Sequence, residues 1–343
     1  MKNIILSLAL VLPLVLSAQY SSDYLQSLTE SGNTGWRFSN AVAANYGNIG
    51  SEAVDLSYSN TASTTRGATG YTSTAMGYLT TASGNSSTAM GYGTTASGPF
   101  STAMGVLTTA SGYASTSMGY NTTASGYTST SMGYNTTASG NFSTAMGYYT
   151  TASDFASLSI GTYNLVNSVV TTGGSATSFD TDNAALVIGN GTASNAKSDA
   201  FVVYFNGDAT LSGDLTINSD ARLKDNIQPL GSTLNKLHQI EGKTYSLKKD
   251  EEHTPKIGVL AQEVQAVFPE LVTEGADGTL SVNYQGLVPV LINAINEQEL
   301  KMSEQDAKIA ALEAQNAEIK ELKEMVRVLA LQQSQTTSSV AAN

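Results

Sequence analysis

The sequence predicts a mainly β N-terminal part built from 14-residue repeats, then an α+β domain, then a C-terminal coiled coil. Three observations carry that prediction. Met76, Met90, Met104, Met118, Met132 and Met146 recur at 14-residue intervals, and Ile160 continues the series. No charged residue stands between Arg66 and Asp154, whereas the chain from Ser219 onward holds 12 of the 16 Lys and Arg and 18 of the 28 Asp and Glu. From Met302 onward the apolar residues settle into a heptad.

The chain opens on Met1-Lys2-Asn3 and an apolar run from Ile4 to Leu16, followed by Ser17-Ala18-Gln19. A basic start, a short apolar stretch and small residues before a polar one predict a secretory signal peptide at residues 1–18. The run is short for a bilayer span and Pro13 interrupts it, so no integral helical membrane anchor is expected. Residues 19–60 are assigned to an N-terminal head segment.

Residues 61–162 are the repeat array. Each Met is followed by Gly, and a second box, Thr81-Ala82-Ser83-Gly84, returns at Thr95, Thr109, Thr123 and Thr137, ending as Thr151-Ala152-Ser153-Asp154. A Ser/Thr-rich stalk has no reason to hold an apolar residue at one phase. Thr and Tyr favour strands, whereas Gly and Ser-Gly mark turns. One repeat therefore reads as two short strands and two turns, one coil of a narrow parallel β-solenoid. Alternation puts Thr74 and Met76 on one strand face and Ala75 on the other. Met and Ala are expected inside the coil, with Thr, Ser and Tyr outside. A single coil buries too little to stand alone, so stacking extends the core, and one this thin calls for lateral association of chains.

At these residues the chain resembles the head repeats of YadA-type trimeric autotransporter adhesins. The resemblance implies a left-handed parallel β-roll in a homotrimer, with adhesion to a host or surface glycan or protein as the activity class. The apolar pair usual in that family's first strand is here Thr and Met. The family's C-terminal membrane β-barrel anchor is not expected, because the chain closes in a helical pattern and a polar tail.

Residues 163–218 lose the period but stay β-like. Ala185 to Gly189 and Ala200 to Tyr204 are apolar strand runs ended by Asn190-Gly191 and Asn206-Gly207-Asp208 turns, and Leu211, Leu215 and Ile217 continue the alternation. This stretch reads as a neck. At Ser219-Asp220-Ala221-Arg222-Leu223-Lys224 the character changes, and Ser or Asp reads as the N-cap of a short helix stopped near Pro229. Three further runs follow in order: Ile257 to Val264, Phe268 to Val272, and Asn283 to Leu291. This succession resembles the intramolecular chaperone domain of endosialidase tailspikes, serine peptidase family seventy-four, and the domain is assigned to residues 219–292. The resemblance implies a Ser-Lys dyad that cuts the chain between Asn218 and Ser219, with Ser219 as nucleophile and Lys224 as general base. The residue types suit that chemistry, because a serine hydroxyl needs a base to take its proton and a lysine serves once burial disfavours its charged form. Gln262 and Glu263 read as the polar face of a helix whose apolar face is Val259, Val264 and Val267. Asp220 and Arg222 read as structural or capping residues.

Ile295, Met302, Ile309 and Asn316 fall seven apart, with Gln298, Gln305, Leu312, Ile319 and Val326 three positions on. Leu322, Val326 and Leu329 imply a local register shift. Residues 293–333 are assigned to this coiled coil, trimeric by resemblance, and residues 334–343 to a disordered tail.

Composition bounds the chemistry. With no Cys and only His238 and His253 among 343 residues, thiolate sites and histidine-rich metal centres are out of reach, and no metal or cofactor is expected. A net charge of −12 argues against nucleic acid. The charge-free array lacks the carboxylate pair that glycoside hydrolysis requires. The reading is a secreted or cell-surface homotrimeric fibre that cuts itself once during maturation. The alternatives are a phage-type tail fibre, against which the N-terminal signal argues, and a non-cleaving structural fibre.

Overall fold

The computed structural model describes residues 24–248 and 253–340, so the expected signal peptide lies outside the described residues. The chain divides into two compact units between Ile217 and Asn218.

The first unit is a two-sheet parallel solenoid. Its long strands, among them Thr74–Tyr78, Thr88–Tyr92, Thr102–Val106, Thr116–Tyr120, Thr130–Tyr134 and Thr144–Tyr148, lie in a 13-stranded sheet. The short strands, from Gly67–Ala68 to Thr151–Ala152, form a seven-stranded sheet. The register is the repeat itself. Thr74 pairs with Thr88, Met76 with Met90 and Tyr78 with Tyr92, and the short strands pair Thr81 with Thr95 and Ala82 with Ala96. Identical residues therefore stack in columns one strand spacing apart, about 4.8 Å.

The core corrects one expectation. Ala75, Ala89, Ala103 and Ala145 are fully buried, as are Ala82, Ala96, Ala110, Ala124 and Ala138. Met76, Met132 and Met146 are instead 37% exposed, and the interior is completed by Thr80, Thr94, Thr108, Thr122 and Thr136 at 0%. Two facing sheets this close leave room for Ala, Ser and Thr but not for Met. The strand's alternation then sends Met outward with Thr74 and Tyr78.

Glycine sets the stacking distance. A Cβ on Gly105, whose φ is +119°, would stand 2.1 Å from the Gly119 carbonyl oxygen of the next coil. This glycine lies within the strand Thr102–Val106 rather than at a turn. The corners fall on other residues, for example Leu79 at φ 56° and Phe100 at φ 59°. Each coil thus carries two left-handed corners on mostly non-glycine side chains, which the sequence pattern does not announce.

Buried hydroxyls follow the repeat over its later coils, whereas those of Ser87 and Ser101 have no partner among the described residues. Ser115 Oγ donates to the Gly112 carbonyl at 2.8 Å, and Ser129 and Ser143 repeat the bond one coil on. The hydroxyls of Ser117 and Thr122 share a hydrogen bond of 2.7 Å, as do those of Ser131 and Thr136. Where Ala replaces that Ser, the hydroxyls of Thr80, Thr94, Thr108 and Thr150 have no partner among the described residues.

Polar plugs close the ends of the stack. At the start, Arg37 is buried against Asp55 at 2.9 Å, donates to the Gly47 carbonyl at 3.0 Å and lies 4.6 Å over the Tyr46 ring. At the other end, the Asp154 carboxylate accepts from Thr171 N at 2.8 Å, Thr171 Oγ1 at 2.6 Å and Ala184 N at 2.7 Å. These groups satisfy backbone that a further coil would otherwise cover. Beyond them Ala184–Asn190, Asp199–Tyr204 and Ala209–Leu211 finish the long sheet. Leu215 and Ile217, expected to continue the alternation, lie outside any strand and are exposed.

The second unit is small and α/β, with helices α1 (Leu234–Leu237), α2 (Ala261–Val267) and α3 (Leu287–Val340). Hairpins Lys243–Tyr245 with Lys256–Gly258 and Val272–Glu274 with Leu280–Val282 complete it. Its core is Val264, Phe268, Leu271 and Val290, packed by Val259, Val267, Leu237 and Ile240. The face of α2 named from the sequence is thus the buried one. Along α3 the heptad residues Ile295, Met302, Ile309, Leu312, Ile319 and Val326 are all exposed, which is compatible with a coiled coil. The tail expected to be disordered from Ser334 is helical as far as Val340. Extending a long helix costs little once it is nucleated, and residues 334–340 contain no Pro or Gly to stop it.

Two substitutions test the stacking. Ala103→Ser supplies a partner to Thr108 as Ser117 does to Thr122, and is expected to stabilise the solenoid by about 1 kcal/mol, raising its melting temperature by about 2–4 °C. Gly105→Ala forces coils apart and is expected to cost about 3 kcal/mol or more, read by the same thermal melt.

Candidate functional site

The residues singled out for chemistry sit on the segment that opens the second unit. Asp220 ends an extended stretch and its carboxylate accepts from Arg222 N at 2.9 Å, capping a single 3-10 turn, Ala221–Leu223. The Arg222 guanidinium closes back on the same carboxylate at 2.6 Å. This pairing holds the Asp220 carboxyl below the usual carboxylate range and raises the Arg222 guanidinium. Both side chains are solvated, so the pair shapes the turn more than it stabilises the unit.

The turn folds the backbone so that positions five apart meet. Lys224 Nζ donates to Ser219 Oγ at 2.7 Å. Asn218, whose carbonyl precedes Ser219, is the first residue of the second unit. All of residues 218–232 are exposed within the protomer, including the large apolar side chains Leu223, Ile227 and Leu230. The segment therefore offers a hydrogen-bonded hydroxyl and amine beside a peptide bond, on an arm left exposed by the described residues of its own unit.

The arm is tied down at its far end. Glu297 of α3 accepts from Thr233 N at 2.5 Å, Ser232 Oγ at 2.8 Å and Leu234 N at 3.4 Å, so its carboxylate caps the N-terminus of α1. Asn293, one turn earlier, donates to the same carboxylate at 3.1 Å. Thr233 Oγ1, buried, donates to the Val290 carbonyl at 3.2 Å. Sequence reasoning missed Glu297, since its partners lie 63 to 65 residues away and its position on a charged helix marks nothing local. Glu263 is likewise a tether, with its carboxylate accepting from Glu241 N at 2.9 Å. Gln262 takes no part in the Ser219–Lys224 contact.

Comparison with known proteins bears on both units. Residues 219–273 match the family described as chaperone of endosialidase. Residues 68–94, 96–122 and 124–150 match the YadA head domain repeat. Segments similar to YadA head repeats are thus followed in the chain by one similar to the endosialidase chaperone. It is also similar to long tail fiber proteins Gp37 of phages. The protein of Salmonella phage S16 is 29% identical over 48% of this chain and 21% of its own length. That of Escherichia phage AR1 is 39% identical over 26% of this chain and 9% of its own length. The chain thus spans less than a quarter of these relatives. Among the described residues no helix is long and apolar enough to cross a membrane.

The bonds donated to Glu297 hold its carboxyl below the usual range, with the Thr233 backbone N–H the largest cause. A lowered folded-state value contributes stability above the unfolded glutamate value of about 4.3 and loses it as pH falls through the folded value. The second unit of the wild type is expected to melt progressively lower as pH is taken below about 4.3. Glu297→Gln should flatten that dependence, as followed by circular dichroism melts.

Proposed function

We propose that the chain is one strand of a secreted or cell-surface homotrimeric fibre whose C-terminal unit drives trimerisation and then cuts the chain before Ser219. The observation that carries the self-cleavage is the 2.7 Å bond from Lys224 Nζ to Ser219 Oγ on an arm left open by its own protomer. Lys224, once it has given up its proton, takes the hydroxyl proton of Ser219. The freed oxygen attacks the Asn218 carbonyl carbon, the Asn218–Ser219 amide bond breaks, and Lys224 returns the proton to the leaving nitrogen. Water then opens the ester, leaving Asn218 with a carboxylate and Ser219 with a free amine. Proximity supplies much of the rate because nucleophile and peptide belong to one chain.

Two exposed apolar faces support the trimer. The Met column of the long sheet, exposed at Met76, Met132 and Met146 and half-buried between, and the exposed heptad seam of α3 are left uncovered by the described residues, and both run along their elements as lines. Assembly that covers the arm would also exclude water from the Ser219–Lys224 pair. Cleavage then waits on association. The repeat head is left as the part that binds outside partners.

A phage-type tail fibre is the second reading, favoured by the similarity to the Gp37 proteins. It shares the trimer and the chaperone and differs in the N-terminus.

Denaturing gels and intact mass of the purified chain decide among these. Wild type is expected to yield a fragment of residues 219–343, while Ser219→Ala, Lys224→Ala and Lys224→Arg slow cleavage at least about a hundredfold. Arginine fails because it cannot give up its proton in a protein. A mature N-terminus at Gln19 supports the exported fibre, and an N-terminus at Met1 or Lys2 supports the tail fibre. A wild-type chain that never splits removes the dyad and leaves a non-cleaving fibre.

A further inference from the structure

The turn that leads into each long strand carries a second feature, distinct from the Met face. Phe100, Tyr113, Tyr127, Phe142 and Phe155 follow one another along the stack, one per coil. Their ring centroids are 5.3, 4.9, 5.6 and 5.3 Å apart. Tyr113 and Tyr127 are parallel to within 2°, whereas the phenylalanines beside them stand edge-on at 65° to 74°. The first four rings are 42–54% exposed. At its far end the ladder is closed by the segment 175–177, whose carbonyls at Ser175 and Ala176 accept from Phe155 N and Asn141 N.

Four observations define what such a strip takes. It is linear, with one ring per coil, so its occupant is an extended chain and not a compact molecule. It lies in a stretch without charge from Arg66 to Asp154, so it neither pairs with nor repels an ion. The hydroxyls of Tyr113 and Tyr127 have no hydrogen-bond partner among the described residues, unlike that of Tyr78, which donates to Asn60 Oδ1 at 2.7 Å. Finally, the ladder sits at the opposite end of the long strand from the Tyr78, Tyr92, Tyr120 and Tyr134 column, which shares the face of the methionines. The seam assigned to copies of the chain therefore does not account for it.

We propose that the Phe100–Phe142 ladder is a binding strip for an uncharged polysaccharide. Sugar rings have apolar C–H faces and hydroxyl rims. The Phe100 and Phe142 rings, turned 68° and 65° from their tyrosine neighbours, bury the first at little conformational cost, and the edges and hydroxyls of Tyr113 and Tyr127, whose faces cover each other, meet the second. An anionic lipid surface would call for cations, and the array between Arg66 and Asp154 has none. A linear glycan presents apolar ring faces at regular intervals, as the coils present rings. This inference rests on reading the head as the fibre's binding part and is independent of self-cleavage.

The test is binding of the full chain to immobilised cellohexaose, maltohexaose and mannohexaose, with hyaluronan fragments as the charged control. Wild type binds at least one uncharged hexaose and not hyaluronan. Tyr113→Ala and Tyr127→Ala each lower the affinity about tenfold, and the double variant abolishes binding. Oligomeric state and cleavage of these variants match wild type. Asn85→Tyr, which extends the ladder one coil toward Tyr71, raises the affinity and keeps the test decisive where an alanine variant fails to fold. Four outcomes overturn the proposal: no binding to any uncharged hexaose, equal binding to hyaluronan, unchanged affinity in the folded double variant, or loss of oligomer in that variant, which makes the ladder a subunit contact. A chain that binds but neither trimerises nor cleaves keeps this inference and sinks the fibre reading instead.

Discussion

The structure depends on one steric condition, that successive coils lie close enough for backbone to touch backbone in the same register. The Gly119 carbonyl oxygen occupies the place where a Cβ on Gly105 would stand, and the Gly98 carbonyl does the same to Gly84. Two glycine columns hold that spacing along the array. In-register stacking then forces like onto like. Every inward position must tolerate its own copy one strand spacing above and below, which favours alanine, serine and threonine. The columns of Ala75, Ala82 and Thr80 and their repeats are the result.

A core of small and hydroxylated side chains buries little apolar area, at about 0.8 kcal/mol per methylene-sized group. The larger apolar groups are displaced outward, to the methionine column and the aromatic ladders, and at the C-terminal end to the seam of α3. Exposed apolar lines of this length mark interaction surfaces in soluble proteins. The same principle acts on the opening arm of the second unit, where Leu223, Ile227 and Leu230 stand in solvent beside the Ser219–Lys224 pair. What the protomer leaves uncovered is where the chemistry and the association are proposed.

Much of this was legible because the repeat is strict. The period gave the coil, and the alternation in Thr74-Ala75-Met76 put Met and Ala on opposite faces. The error lay in sending both inward, since strand alternation fixes which residues share a face but not which face is inside. Gap width decided that, and width follows from glycine columns whose role appears only when coils are stacked. The left-handed corners at Leu79, Phe100 and Leu107 were hidden for another reason: they use side chains that carry no turn signature. In the second unit the apolar face of α2 was readable from local spacing, whereas Glu297 was not, because its cap on α1 is made across sequence. The pairing of Lys224 with Ser219 was legible only through the family resemblance, and the 3-10 turn with its Asp220 cap supplies the geometry.

The central claim is that the methionine column is sealed against its own copies. Since the chain has no cysteine, a single Met104→Cys substitution in an uncleavable Ser219→Ala background gives a unique site for a nitroxide label. Sedimentation equilibrium combined with dipolar spectroscopy then reads mass and distance on one sample. The account predicts three protomers and a single short label-to-label distance about a common axis. A monomeric mass, or a trimer whose labels at position 104 lie far apart and exposed, would contradict it.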